Sequence, residues 1–205
     1  GAMYGGYVVS PVNLLAHDAQ LEYTLTHSES KLVFATAANR ERLEAIRLRT
    51  GAAFGIRIVD ADGIELPVVA PQRLESVNAG DPAMLMYTSG TTGTPKGALL
   101  SHANMLAAGR AVARSLDLTA RDRVLSSLPL YHINGQCIAT VAPLVSGGSI
   151  VMPHRFSVSQ WWTLVGTYRP TWLNVVPTII AYLINASDRS APPASACRGV
   201  RFARS

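Results

Sequence analysis

An apolar, strand-like run, Met84 to Tyr87, stops at Thr88-Ser89-Gly90-Thr91-Thr92-Gly93-Thr94-Pro95-Lys96-Gly97, a loop of hydroxyls and glycines closed by one lysine. Ala98-Leu99-Leu100 resumes as strand, so the loop is expected to stand exposed between two strands. Each residue type in it suits a phosphate. Glycines let main-chain N–H groups approach an anion, hydroxyls donate to its oxygens, and lysine adds a mobile point charge. Pro95 stiffens the backbone just before that charge.

The loop is not a Walker A sequence. Pro95 stands where G-x-x-x-x-G-K-[ST] needs its second glycine, and Gly97 follows Lys96 where the magnesium-binding hydroxyl belongs. Tyr87 to Gly97 instead resembles, without a departure, the Y-T-S-G-T-T-G-x-P-K-G signature of the adenylate-forming superfamily: acyl-CoA synthetases, adenylation domains of peptide synthetases, and luciferases. Ser101-His102 and Asn104 continue that pattern, and Val8 to Asn13 is similar to its V-V-x-P-V-N segment.

At 205 residues, with 48% hydrophobic and 15% charged content, the chain can bury a core of α/β type. The net charge of +5 is modest. Many of its arginines lie in two places, 40–57 and 189–204, and the lone Phe54 and Phe202 among them do not make the run of aromatics a nucleic-acid platform requires, which argues for a solvated basic face. Cys137 and Cys197 have neither CxxC nor zinc spacing and fit reduced thiols of a cytoplasmic protein. No apolar run reaches membrane-spanning length, and Gly1-Ala2-Met3 reads as a cleavage scar.

The chain order predicts strand at Tyr7–Val12, helix at 16–28, strand at Lys31–Ala35, helix at Ala38–Arg49 with Leu43, Ala45 and Ile46 inward, and strand at Phe54–Val59 before a turn at Asp60–Gly63. A polar, proline-containing connection from Pro67 to Asp81 suggests a boundary between sub-domains at 1–80 and 81–205. The second begins with strand Ala83–Tyr87. After the loop, Ser101 caps a helix to Leu116 with Met105, Leu106, Val112 and Leu116 as its stripe. Strands are expected at Val124–Leu128, Ser149–Met152, Thr171–Val176 and from Val200 onward. Helices are expected at Gln136–Val145, after Ser157 with Trp161, Trp162, Val165 and Tyr168, and from Pro177. This grammar predicts an α/β fold of two sub-domains, each a mainly parallel sheet flanked by helices.

Leu128-Pro129-Leu130-Tyr131-His132 resembles the acyl-pocket motif of the same superfamily. The resemblance implies that His132 lies between acyl pocket and nucleotide and helps place the carboxylate. It also implies that Ile133 and Asn134 line the pocket for the acid's tail. Amino-acid-activating members commonly carry aspartate at the position of Ile133, to pair with the substrate ammonium. An apolar residue leaves that ammonium unpaired at a cost of several kcal/mol, so a plain carboxylic acid is favoured. His17, His27, His102 and His154 show no metal-ligand spacing with carboxylates and read as structural.

The implied chemistry is ATP-dependent acyl-adenylate formation followed by transfer to a thiol, either coenzyme A or a carrier protein. Thr88, Ser89, Gly90, Thr91, Thr92, Gly93 and Thr94 would hold the phosphates. Lys96 would stabilise departing pyrophosphate, and Mg2+ would accompany ATP. The family's adenine, ribose and magnesium contacts and its catalytic C-terminal lysine are not in this sequence. The chain is therefore expected to be a fragment, inactive alone and prone to self-association through apolar surface left uncovered. A non-catalytic nucleotide- or acyl-binding module and an unrelated phosphotransferase are the alternatives.

Overall fold

The computed structural model describes residues 1–59, 74, 76–88, 95–186 and 197–204. The chain divides into two compact units, Gly1–His102 and Ala103–Ser205. The division lies beyond the boundary near residue 80 read from the sequence, because the hairpin that follows is tied to the N-terminal segment. Val9 N–H donates to Ala83 O and Leu85 N–H donates to Val9 O, both at 2.9 Å.

In the first unit, α1 (Asp18–His27) precedes β1 (Leu32–Ala35), a 3-10 turn at Ala37–Asn39, α2 (Arg40–Thr50) and β2 (Gly55–Ile58). Leu21 and Leu25, one helical turn apart on α1, meet Leu43 and Ile46 of α2 together with Ala35 and Phe54. These apolar faces cover the parallel pair β1–β2, in which Leu32 stands opposite Gly55. Ala45, expected inward, is exposed, since the buried stripe of α2 is only as wide as Leu43 and Ile46. The strand expected at Tyr7–Val12 reduces to one bridge from Val9 to Met84, because Pro11 has no N–H to extend the ladder.

β3 (Pro82–Thr88) and β4 (Lys96–Ser101) form an antiparallel pair, while the other strand pairings among the described residues are parallel. α3 (His102–Ser115) follows β4 directly, with Ser101 in the position before its first turn. Its buried face is Met105, Gly109 and Ala113, not the larger stripe expected, and Leu106 is exposed. The physical reason is close approach: a Cβ at Gly109 would stand 2.6 Å from Val141 Cγ1.

The second unit is built on a four-stranded parallel sheet of order β6-β5-β7-β8, where β5 is Arg123–Ser126, β6 Ser149–Val151, β7 Trp172–Asn174 and β8 Phe202–Arg204. The connections run through a π-helix (Asn134–Val141) and α4 (Ala142–Val145), then α5 (Val158–Tyr168), then α6 (Pro177–Asn185). A single α-helix was expected where the π-helix and α4 lie. Thr140 Oγ1 donates to Gly135 O, five residues back, and so serves a carbonyl in the wider winding. Leu125, Leu128, Trp161, Val165, Leu173, Val175 and Ile179 form the core, in which Trp161 is completely buried. Ser157 precedes α5 but makes no cap, its hydroxyl pairing instead with Ser159 Oγ. No helix among the described residues is long and apolar enough to cross a membrane.

One carboxylate gathers the N-terminal ends of these strands. Asp122 Oδ1 accepts from Thr171 Oγ1 and the Arg201 guanidinium, each at 2.7 Å. Its Oδ2 accepts from Thr119 N at 2.8 Å and Thr119 Oγ1 at 3.0 Å, and its backbone carbonyl accepts from Ser149 N. Burial by itself pushes this carboxyl up. The hydrogen bonds from Thr171 and Thr119, with the Arg201 charge, outweigh it and hold the pKa below its ordinary 3.8.

Candidate active site

The phosphate-type loop leaves the end of β3 and returns at the start of β4. In the hairpin register Tyr87 faces Gly97 and Thr88 faces Lys96. Thr88 and Lys96 are both exposed. The antiparallel pairing thus returns the lysine to the stem from which the hydroxyls depart. Ser89, Gly90, Thr91, Thr92, Gly93 and Thr94 lie outside the described residues, as do the Asp60–Gly63 turn and most of the Pro67–Asp81 connection.

The stem has a brace that sequence reading did not pick out. Tyr87 Oη and His27 Nδ1, from α1, are hydrogen-bonded at 2.8 Å. Tyr23 stacks on the His27 ring at 5.1 Å, and Tyr87 meets both rings edge-on. Partial burial, and after it the neighbouring Tyr23, raise the Tyr87 phenol above its ordinary 10.0, so its proton stays in place for hydrogen bonding. Nothing in the spacing of His27, sixty residues away, could announce this contact.

In the second unit, His132 and Ile133 lie between β5 and the π-helix, whose first residue is Asn134. His132 N–H donates to Pro129 O at 3.1 Å, and His132 O accepts from Gln136 N at 3.0 Å. The His132 side chain is exposed beside the Tyr131 ring, with centroids 4.6 Å apart, and Ile133 is 52% exposed. This segment can pass so close to the strand end only because residue 135 is glycine. A Cβ there would lie 2.5 Å from Pro129 O and 2.9 Å from Leu128 O.

Sheet order singles out the same end of the second unit. From β5 the chain moves to one side for β6, then crosses to the other side for β7. Open parallel sheets bind ligands outside the strand C-termini where the order reverses in this way. The C-terminal residues there are Ser126 and Asn174, which face each other in register. Both are fully buried, and Asn174 Nδ2 reaches Ser126 Oγ at 3.4 Å and donates to Asn134 Oδ1 at 2.9 Å. Asn134, expected as a pocket wall, is therefore also a partner of the sheet. Among the described residues no group of three or more His, Cys, Asp or Glu side chains stands together to hold a metal ion.

The first unit thus carries a hairpin whose connecting sequence is rich in hydroxyls and glycines and closed by lysine, and the second is a parallel α/β sheet with polar side chains where its strand order reverses. Residues 1–203 match the family of AMP-binding enzymes, and the chain belongs to that family. It is 46% identical to a sulfoacetate–CoA ligase of Cupriavidus necator, over all of this chain and 40% of that protein. It is 35% identical to the mitochondrial malonate–CoA ligase of Mus musculus, over 91% of this chain and 33% of that protein. Among solved structures, ATP-bound MatB from Rhodopseudomonas palustris superposes with a TM-score of 0.82 at 26% identity, covering 98% of this chain and 40% of that one. The chain thus spans less than half the length of these relatives.

Proposed function

We propose that the protein is an ATP-dependent carboxylate–CoA ligase acting on a short acid whose far end carries a second anionic group. In this reading the chain supplies the phosphate loop and the acid pocket. The observation that carries it is the hairpin register, which sets Thr88 opposite Lys96 at the mouth of the loop. The substrate class is supported by the names of the relatives, since sulfoacetate and malonate each pair a carboxylate with a second anion. Ile133 agrees, because it offers no counter-charge to an ammonium.

In the first step a carboxylate oxygen attacks the α-phosphorus of ATP. The bond to the β-phosphate bridging oxygen breaks, and pyrophosphate leaves. In the second the thiol sulfur of coenzyme A attacks the acyl carbon, loses its proton and displaces AMP. Neither step asks the protein for covalent chemistry; both ask for alignment and charge neutralisation. Thr88 and the loop hydroxyls would bind phosphate oxygens, and the Lys96 ammonium would meet the charge that builds on pyrophosphate. His132 would hold the reacting carboxylate. Magnesium would arrive on the ATP phosphates.

The test is ATP–pyrophosphate exchange by the full-length protein with sulfoacetate, malonate, acetate and glycine. Exchange supported best by the two dianionic acids and more weakly by acetate, with AMP formed when coenzyme A is added, is the expected result. Release of ADP and phosphate, or exchange best supported by glycine, would overturn the proposal.

A further inference from the structure

Asn174 is completely enclosed between Leu173 and Val175, both members of the core. An apolar side chain would serve stability better in that position. Asn174 Oδ1 has no hydrogen-bond partner among the described residues, and a buried acceptor left alone is destabilising. Polar groups kept in a core against their stability cost mark functional constraint. The other end of the amide is engaged, with Nδ2 donating to Asn134 Oδ1 at 2.9 Å and 3.4 Å from Ser126 Oγ.

Asn134 opens the π-helix two residues after His132, and Gly135 presses that turn against the carbonyls of Leu128 and Pro129. The backbone of the segment is thus held by close packing, and the Asn134 side chain by Asn174. We propose that Asn174 is a positioning residue for the acid: it fixes the rotamer of Asn134 so that the amide N–H2, the end not taken by Asn174, is presented to an anionic group at the far end of the substrate. With its Oδ1 turned to Asn174, the end of the Asn134 amide left toward the substrate is the N–H2 donor, which suits a sulfonate or second carboxylate better than an ammonium. This inference rests on the acid-activating reading above and goes beyond it by assigning the residue that orders the acid's far end.

The experiment measures pyrophosphate release by the full-length enzyme, with KM for acid and for ATP determined separately and sulfoacetate, malonate and acetate as probes. Asn174→Leu keeps the branched skeleton, with somewhat more bulk, and removes both polar ends. Asn174→Thr keeps a hydroxyl for Ser126 and suits a strand, but is too short to reach Asn134, so it reports even where the leucine variant folds poorly. Each is expected to lower kcat/KM for the dianionic acids about 10- to 30-fold, on the scale of a misplaced contact. KM for ATP and the rate with acetate should stay within about twofold, since neither uses the far-end contact. In a double-mutant cycle, Asn134→Ala on top of Asn174→Thr should add nearly nothing.

Parallel losses for acid, acetate and ATP would show a general loosening of the sheet and overturn the proposal. Independent, multiplying effects of the two substitutions would do the same. A wild-type enzyme that activates no acid removes the functional reading and this inference with it, whereas an active enzyme unchanged by Asn174→Thr removes this inference alone.

Discussion

Asp122→Asn should weaken the second unit by about 3 kcal/mol and leave the first untouched. The carboxylate accepts from Thr171 Oγ1, Arg201, Thr119 N and Thr119 Oγ1, and the side chain is only 7% exposed. An amide keeps one acceptor oxygen and turns an N–H2 group toward donors on the other side. Hydrogen bonds to a charged acceptor contribute about 1.5–3 kcal/mol each, and donors left buried and unpaired are destabilising. Arg201 is 45% exposed, so its share is screened to at most about 1 kcal/mol. The assay is built into the chain, because Trp161, Trp162 and Trp172 are its only tryptophans and all lie in the second unit. With a urea m-value of about 2 kcal/mol/M, the fluorescence midpoint should fall by about 1.5 M.

The same residue predicts a pH dependence. The Asp122 pKa is lower in the folded chain than its ordinary 3.8, so the folded state binds the proton less readily than the unfolded state. The stabilisation is therefore complete above the unfolded value, about 3.9, and is lost as pH falls through the lower folded value. Wild type and Asp122→Asn should differ fully at pH 7 and converge below about pH 4. Equal midpoints at pH 7, or a gap that persists at acid pH, would refute the reasoning.

Three further outcomes are expected. Lys96→Ala in the full-length enzyme should slow pyrophosphate exchange by about 10- to 1,000-fold with no change in urea midpoint, because an exposed lysine at a strand end supports no core; unchanged exchange would remove it from the mechanism. Ile133→Asp should raise KM for a dianionic acid at least about tenfold by placing like charge beside it, with little change in stability because Ile133 is half-exposed; an enzyme that prefers amino acids before this change would show the position misassigned. Gly135→Ala should destabilise the second unit by about 2–4 kcal/mol, because its Cβ meets backbone oxygens that cannot yield, as tryptophan fluorescence in urea would report.

The alternation of strands and helices was legible in the sequence because it is local. Residue type, spacing and turn chemistry act within a few positions, so Lys96, His132 and the ends of most elements could be placed without coordinates. What the sequence could not show is which distant residues meet. Strand order and register, set by packing across the whole chain, brought Ser126 beside Asn174 and bound Asn134 to it. The same long-range packing placed His27 against Tyr87 and brought Thr171 and Arg201 onto Asp122. Local pattern misjudged part of α3: hydrophobicity favoured Met105, Leu106, Val112 and Leu116, whereas the buried residues are Met105, Gly109 and Ala113, with Gly109 set by close approach to Val141. Periodicity encodes which kind of element forms; which of its faces is buried depends on the shape of what packs against it, and only the folded chain supplies that shape.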